Sequence, residues 1–185
     1  MREILLSLCG LGLAGAVLAQ TPELPIPNGQ PFEMQVYLTG YSFWDNTPPS
    51  TVDISHPVRH PHAGGMGTFS NPVTLAVGHQ IIDGQDILDF SAGTVFYLPR
   101  LRKYAVVEDT CGDGPAPQDG PCHVGYQGYP WLDIYVDGVS APQAEANACM
   151  RKITGIQPVV LDPGPNKSVV VGPVTEGGCF VFPDP

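Results

Sequence analysis

Positive charge is scarce in this chain. Eight Lys and Arg stand against 18 Asp and Glu among 185 residues, for a formal net charge of −10. A nucleic-acid partner needs a basic footprint, so that class is excluded. Long apolar runs are also missing. The greasiest stretch, Ile4–Leu8 and Leu11–Leu18, falls short of the ~20 residues that cross a bilayer, and no membrane association is expected. The Cys-x-x-Cys pairs that make a zinc reading strong are absent, and there are no internal repeats and no sign of a second domain.

Turn residues are abundant instead. The 22 Gly and 21 Pro bring the composition near the range where disorder is the default. Against that stands a 43% hydrophobic content with seven Phe, seven Tyr and two Trp, enough for one core. One compact, mainly β domain follows, because a helical bundle would need fewer turn formers. Arg2, the apolar run and Val17-Leu18-Ala19 before Gln20 form a signal-peptide pattern over residues 1–19. The expectation is a secreted, extracellular, soluble monomer. Cys9 lies too early, behind Leu8, for a lipoprotein anchor. Residues 20–33 then read as a Pro-rich tail and 34–185 as the domain.

Four cysteines remain after the signal: Cys111, Cys122, Cys149 and Cys179. An even count in a secreted chain implies two disulfides among three connectivities. Cys111 and Cys122 bracket a Gly- and Pro-rich loop with little means of ordering itself. Cys111–Cys122 with Cys149–Cys179 is therefore the preferred pairing. Asn166-Lys167-Ser168 is an acceptable glycosylation sequon.

Strands are expected at Met34–Thr39, Val73–Val77, Thr94–Leu98, Tyr104–Glu108 and Trp131–Val136, with late ones at Val159–Leu161, Val169–Val171 and Cys179–Phe182. In the Trp131–Val136 strand, Trp131, Asp133 and Tyr135 share one face and Leu132, Ile134 and Val136 the other. One helix is expected at about 141–152, opened by a capping box over Ser140-Ala141-Pro142-Gln143 and closed at Gly155.

Most carboxylates sit in turns beside Gly or Pro. Asp86, Asp109 and Asp133 depart from that pattern, and an Asp inside a strand runs against β propensity. Two accounts stand for them: hydrogen bonding to loop backbone, or a polysaccharide cleft in which one carboxyl is a general acid. His56, His60, His62 and His79 invite a metal reading, but the prolines among them give an extended loop rather than two ligands on a helix face. No metal and no cofactor are expected. A copper monooxygenase is disfavoured because the expected mature start is Gln20 or Thr21, not His. Gly64-Gly65-Met66-Gly67-Thr68 lacks the Lys of a phosphate loop.

Three segments in order carry a family resemblance: Asp86-Ile87-Leu88-Asp89-Phe90-Ser91-Ala92-Gly93-Thr94, Tyr104-Ala105-Val106-Val107-Glu108-Asp109-Thr110, and Leu132-Asp133-Ile134-Tyr135. Over about residues 36–155 the chain resembles the 3D domain, named for three aspartates. That domain is the double-psi β-barrel of MltA-type lytic transglycosylases, and the same barrel carries family 45 endoglucanases and expansins. The resemblance implies a single six-stranded double-psi β-barrel with one short α-helix. It implies Asp133 as general acid, Asp109 as its groove partner and Asp86 as a structural aspartate. Thr39-Gly40-Tyr41-Ser42-Phe43-Trp44-Asp45 is similar to the endoglucanase segment whose aspartate is the base, which makes Asp45 a third catalytic candidate. Where the family has Asp-Thr-Gly-Gly and a short link, this chain has Asp109-Thr110-Cys111-Gly112 and a long loop to Trp131, expected to rebuild one groove wall.

The function these readings point to is a secreted glycoside hydrolase on a β-1,4-linked cell-wall polysaccharide, muramidase- or lytic-transglycosylase-like. Peptidoglycan is the favoured partner, and Tyr41, Trp44, Trp131 and Tyr135 are the expected sugar-binding aromatics. The alternatives are an endoglucanase acting on cellulose and a non-catalytic, expansin-like binding barrel. A secreted effector or inhibitor using the scaffold for protein contacts is a third.

Overall fold

The computed structural model describes residues 29–176 and 178–184. The expected signal peptide and the tail up to residue 28 lie outside them. Six strands close into a barrel in the order β1 (Phe32–Tyr41), β7 (Trp131–Tyr135), β2 (Val73–Val77), β6 (Lys103–Thr110), β5 (Val95–Leu98) and β8 (Gly155–Leu161), with β8 returning to β1. The β1–β7 and β2–β6 pairs are parallel and the others antiparallel. Closure leaves the ring without a free edge. Alternation aims the strands. Val36 and Leu38 of β1 and Leu132 and Ile134 of β7 are fully buried, while Tyr37, Thr39, Trp131 and Asp133 are partly buried on the opposite face.

A bulge in β6 breaks that alternation where it matters. Leu75 of β2 pairs with Val107, but the next residue, Ala76, pairs with Asp109. Glu108 is the extra residue. Without the bulge Asp109 would follow Val107 into the core. With it, Asp109 shares a face with Ala76, which also pairs with Asp133 across β7. Asp133 in turn pairs with Thr39 of β1. Asp109, Ala76, Asp133 and Thr39 thus stand in one row across four adjacent strands, with about 10 Å between the two aspartate backbones.

Outside the barrel, β3 (His79–Ile82) and β4 (Gln85–Leu88) form a hairpin around Asp83-Gly84, both at positive φ as a type I′ turn requires. The insert between β6 and β7 holds a 3-10 turn (Pro117–Asp119) and the short helix α1 (Pro121–Val124). Cys111–Cys122 ties the start of the insert to α1, and Cys149–Cys179 pins the C-terminal segment, the pairing expected. Helix α2 (Gln143–Ile153) buries Ala146, Cys149 and Ile153 against β1. It comes close because Gly40 has no side chain: a Cβ there would lie 2.8 Å from Val136 and 3.0 Å from Ile153.

Three expectations need correction. The capping box does not form. Ser140 donates its hydroxyl proton to Asp137 instead, and the helix starts at Gln143 with Pro142 as its cap. Val169–Val171 and Cys179–Phe182 are not strands. The first is held by single bonds: Val170 N–H to the Arg102 carbonyl, Gly172 N–H to the Met66 carbonyl, and the Lys103 ammonium to the Val170 and Gly172 carbonyls at 2.8 and 2.6 Å. Burial pulls that Lys103 down to about 8. Among the described residues the second makes one bond of backbone to backbone, Phe182 N–H to the Arg100 carbonyl.

Candidate active site

The row of aspartates opens into a cleft of about 360 Å³, lined among others by Tyr41, Asp45, Ala76, Asp109, Asp113 and Asp133. One wall is the loop after β1 and the other is the start of the disulfide-tied insert. Thr47 and Asp113 join the walls through a 3.2 Å hydrogen bond. The small side chain of Ala76, between the two aspartates, leaves the space open.

Asp133 sits at the floor. Thr39 donates to its Oδ1 at 2.6 Å, and the Trp131 indole donates to Thr39 Oγ1 at 2.7 Å. An indole N–H can only donate, so the threonine hydroxyl accepts from it and must send its own proton to Asp133. That leaves Oδ2 as the oxygen available to carry a transferable proton. Burial pushes the Asp133 pKa up to about 7; the Thr39 bond pulls against it, and the negative charges of Asp45 and Asp109 add to it. A carboxyl poised near neutrality can give up a proton at working pH.

Asp109 is built differently. Its Oδ2 accepts from Tyr41 Oη at 2.8 Å, and its Oδ1 from Ser55 N, Ser55 Oγ and Thr110 N at 2.9–3.0 Å. Burial and then the Asp109 charge hold the Tyr41 phenol well above its ordinary pKa, so it stays a donor. Asp45 is exposed at the mouth. Ser42 N and Oγ donate to its Oδ1 at 2.8 and 2.7 Å, and Oδ2 takes no bond from the described residues. Of the three candidate aspartates, Asp133 is thus a neutralisable acid, Asp109 a carboxylate saturated by donors and Asp45 one with a free oxygen; Asp53 and Asp113 line the cleft beside them.

Of the expected sugar-binding aromatics, Tyr41 lines the cleft, and Trp131 lies outside its lining, bonded to Thr39, which bonds Asp133. Trp44 and Tyr135 do not line it. Trp44 donates to the Ala141 carbonyl at 3.2 Å and packs beside Gly138 ahead of α2. Tyr135 is buried edge-on to Tyr41 and offers no face to a ligand. Asp86 lies on the hairpin, away from the barrel row, where it binds His79 Nδ1 at 2.6 Å. Burial lowers the His79 pKa, but the Gly112 carbonyl and the Asp86 carboxylate outweigh it and raise the pKa overall.

Three of the five histidines are taken by carboxylates, His60 by Glu108 at 2.7 Å, His79 by Asp86 and His123 by Asp89, both at 2.6 Å, while His56 Nδ1 bonds the Ser55 hydroxyl at 2.9 Å and His62 is exposed. Among the described residues no three His, Cys, Asp or Glu side chains converge as a metal site would need. Thr39, Ser55 and Ala76 are the site residues that sequence reasoning missed. The alternation of β1 put Thr39 on the face of Tyr37 and Tyr41, and was the one available signal.

The family model of the DDB_G0273701 N-terminal domain matches residues 33–180, from β1 to just past Cys179. The chain belongs to this family. A relative in Dictyostelium discoideum, described as uncharacterized protein DDB_G0273701/DDB_G0273221, is 39% identical over 74 residues. That segment is 40% of this chain and 29% of the relative's length, so the chain spans well under two thirds of the curated protein it matches. No solved structure matches.

Proposed function

We propose that this domain is a secreted glycoside hydrolase that cleaves a β-1,4-linked cell-wall polysaccharide, with Asp133 as the general acid. The observation that carries the reading is the Asp133 carboxyl, raised to about 7 on the floor of an open cleft, with its proton-bearing oxygen left free by the Thr39 bond. The ordered likeness to the 3D domain supports it, because that family places its acid at the corresponding strand aspartate. Asp133 protonates the glycosidic oxygen. Asp45, whose Oδ2 is unencumbered, is the better base for activating water, since Asp109 already accepts four bonds. Water attack from the face opposite the acid inverts the anomeric centre. Attack by a hydroxyl of the sugar itself gives the lytic-transglycosylase outcome.

The saturation of Asp109 also favours a second reading, an expansin-like binding barrel in which that aspartate only shapes the groove. Incubation with purified peptidoglycan and with amorphous cellulose separates the two. New reducing ends indicate hydrolysis, chain cleavage with anhydro-sugar ends indicates intramolecular attack, and no cleavage of either polymer replaces the enzyme by the binding barrel.

A further inference from the structure

The insert that departs from the 3D pattern ends in a rigid two-residue turn. Tyr126 and Tyr129 exchange backbone hydrogen bonds at 3.0 and 2.9 Å across Gln127 and Gly128, both at positive φ. The turn delivers Tyr126 onto Tyr37 of β1, centroids 4.2 Å apart and planes inclined by 27°. Tyr37 meets the edge of Trp131 at 4.7 Å. Tyr126 remains 40% exposed. One face of its ring lies against Tyr37. Tyr37 and Trp131 pair across β1 and β7, and the next pair on the same face is Thr39 and Asp133. The shelf thus begins about 7 Å along the strands from the acid, and Trp131 is bonded to Thr39, which is bonded to Asp133.

We infer that Tyr126, Tyr37 and Trp131 form a stacking subsite for a pyranose ring of a glycan chain that continues out of the aspartate cleft. The inference rests on the glycan reading of that cleft. An aromatic shelf matches the apolar C–H face of a sugar, and a cleft rich in carboxylate acceptors matches its hydroxyl donors. The shelf and the cleft share one barrel face and one hydrogen-bond relay. No such pairing of apolar face and hydroxyl rim exists in a purely apolar ligand. Because Tyr126 comes from the insert, this chain's own loop sets the length of glycan it holds.

The test is calorimetric titration of the protein with chitotetraose and cellotetraose, in the Asp133→Asn background to stop turnover. Tyr126→Ala is expected to weaken the better-bound tetrasaccharide roughly three- to tenfold. Tyr126→Phe, which keeps the ring, is expected to bind as the parent does. Equal tetrasaccharide affinity in Tyr126→Ala and parent overturns the subsite and leaves the glycan reading standing. Absence of any glycan binding by the parent overturns both. Tighter binding of a proline-rich peptide than of either tetrasaccharide also overturns the subsite. Tyr126 is exposed, and matching near-ultraviolet spectra show whether its replacement leaves the fold intact.

Discussion

Thr39 stands between an indole and a carboxyl, and the direction of its hydroxyl proton follows from that position. Its bond favours the charged form of Asp133. Thr39→Val keeps the shape and removes the bond, so the Asp133 pKa rises and the alkaline limb of any pH–rate profile moves to higher pH. An unmoved limb in that profile contradicts the assignment. Which residues were legible follows from the same geometry. Asp133, Asp109, Asp45 and Tyr41 announce themselves by residue type and motif. Thr39 does not, because its role depends on a partner 94 residues away. Trp44 and Tyr135 sit as near the motifs as Tyr41 does, yet burial, the commoner fate of large aromatics, claims Tyr135, and the segment ahead of α2 holds Trp44.

Among the elements, the β6 bulge and the loop it faces decide the shape of the cleft. Glu108, displaced from the pairing, is fully buried and organises residues 58–60. Its Oε1 accepts from the backbone N–H groups of Val58, Arg59 and His60, and its Oε2 from the His60 ring and Thr74. Burial raises its pKa, but these bonds outweigh burial and hold it below the usual carboxylate value. A folded pKa below the unfolded one means stabilisation that is complete above about pH 4.3 and lost as pH falls through the folded value. Glu108→Gln should therefore cost about 2–4 kcal/mol at pH 7 and distinctly less near pH 3. Urea unfolding at both pH values measures this, and an equal cost at both contradicts an ionised Glu108. The barrel strands were legible from alternation and β-branched runs. The β3–β4 hairpin was missed despite its Asp83-Gly84 turn signal. The bulge left no mark in the sequence, because it depends on how β2 and β6 pair. Val169–Val171 reads as a strand by residue type, but single bonds to Arg102, Met66 and Lys103 hold it in irregular form.

At the scale of the whole molecule, the two disulfides do different work. By loop length, the Cys149–Cys179 bridge, with a sequence separation of 30, stabilises by about 4 kcal/mol, and Cys111–Cys122, with a separation of 11, by about 3 kcal/mol. Replacing Cys149 and Cys179 together by Ser should lower the melting temperature more. Replacing Cys111 and Cys122 should cost more glycan affinity, because Gly112 and Asp113 line the cleft. Parallel melting and titration experiments check both halves, and greater loss of affinity in the Cys149/Cys179 variant contradicts this division. The net charge of −10 repels anionic wall polymers at low salt, so binding to them should strengthen as salt is added.

The central claim is that Asp133 donates the proton. Reducing-end release from peptidoglycan and from β-1,4-glucan, followed from pH 5 to pH 9 for the unchanged protein and for Asp133→Asn, tests it most directly. The account predicts a rate that falls as pH rises through about 7, and a loss of about 10²–10⁴-fold in the variant with its fold retained. Full activity of Asp133→Asn on a glycan that the unchanged protein cleaves would contradict it.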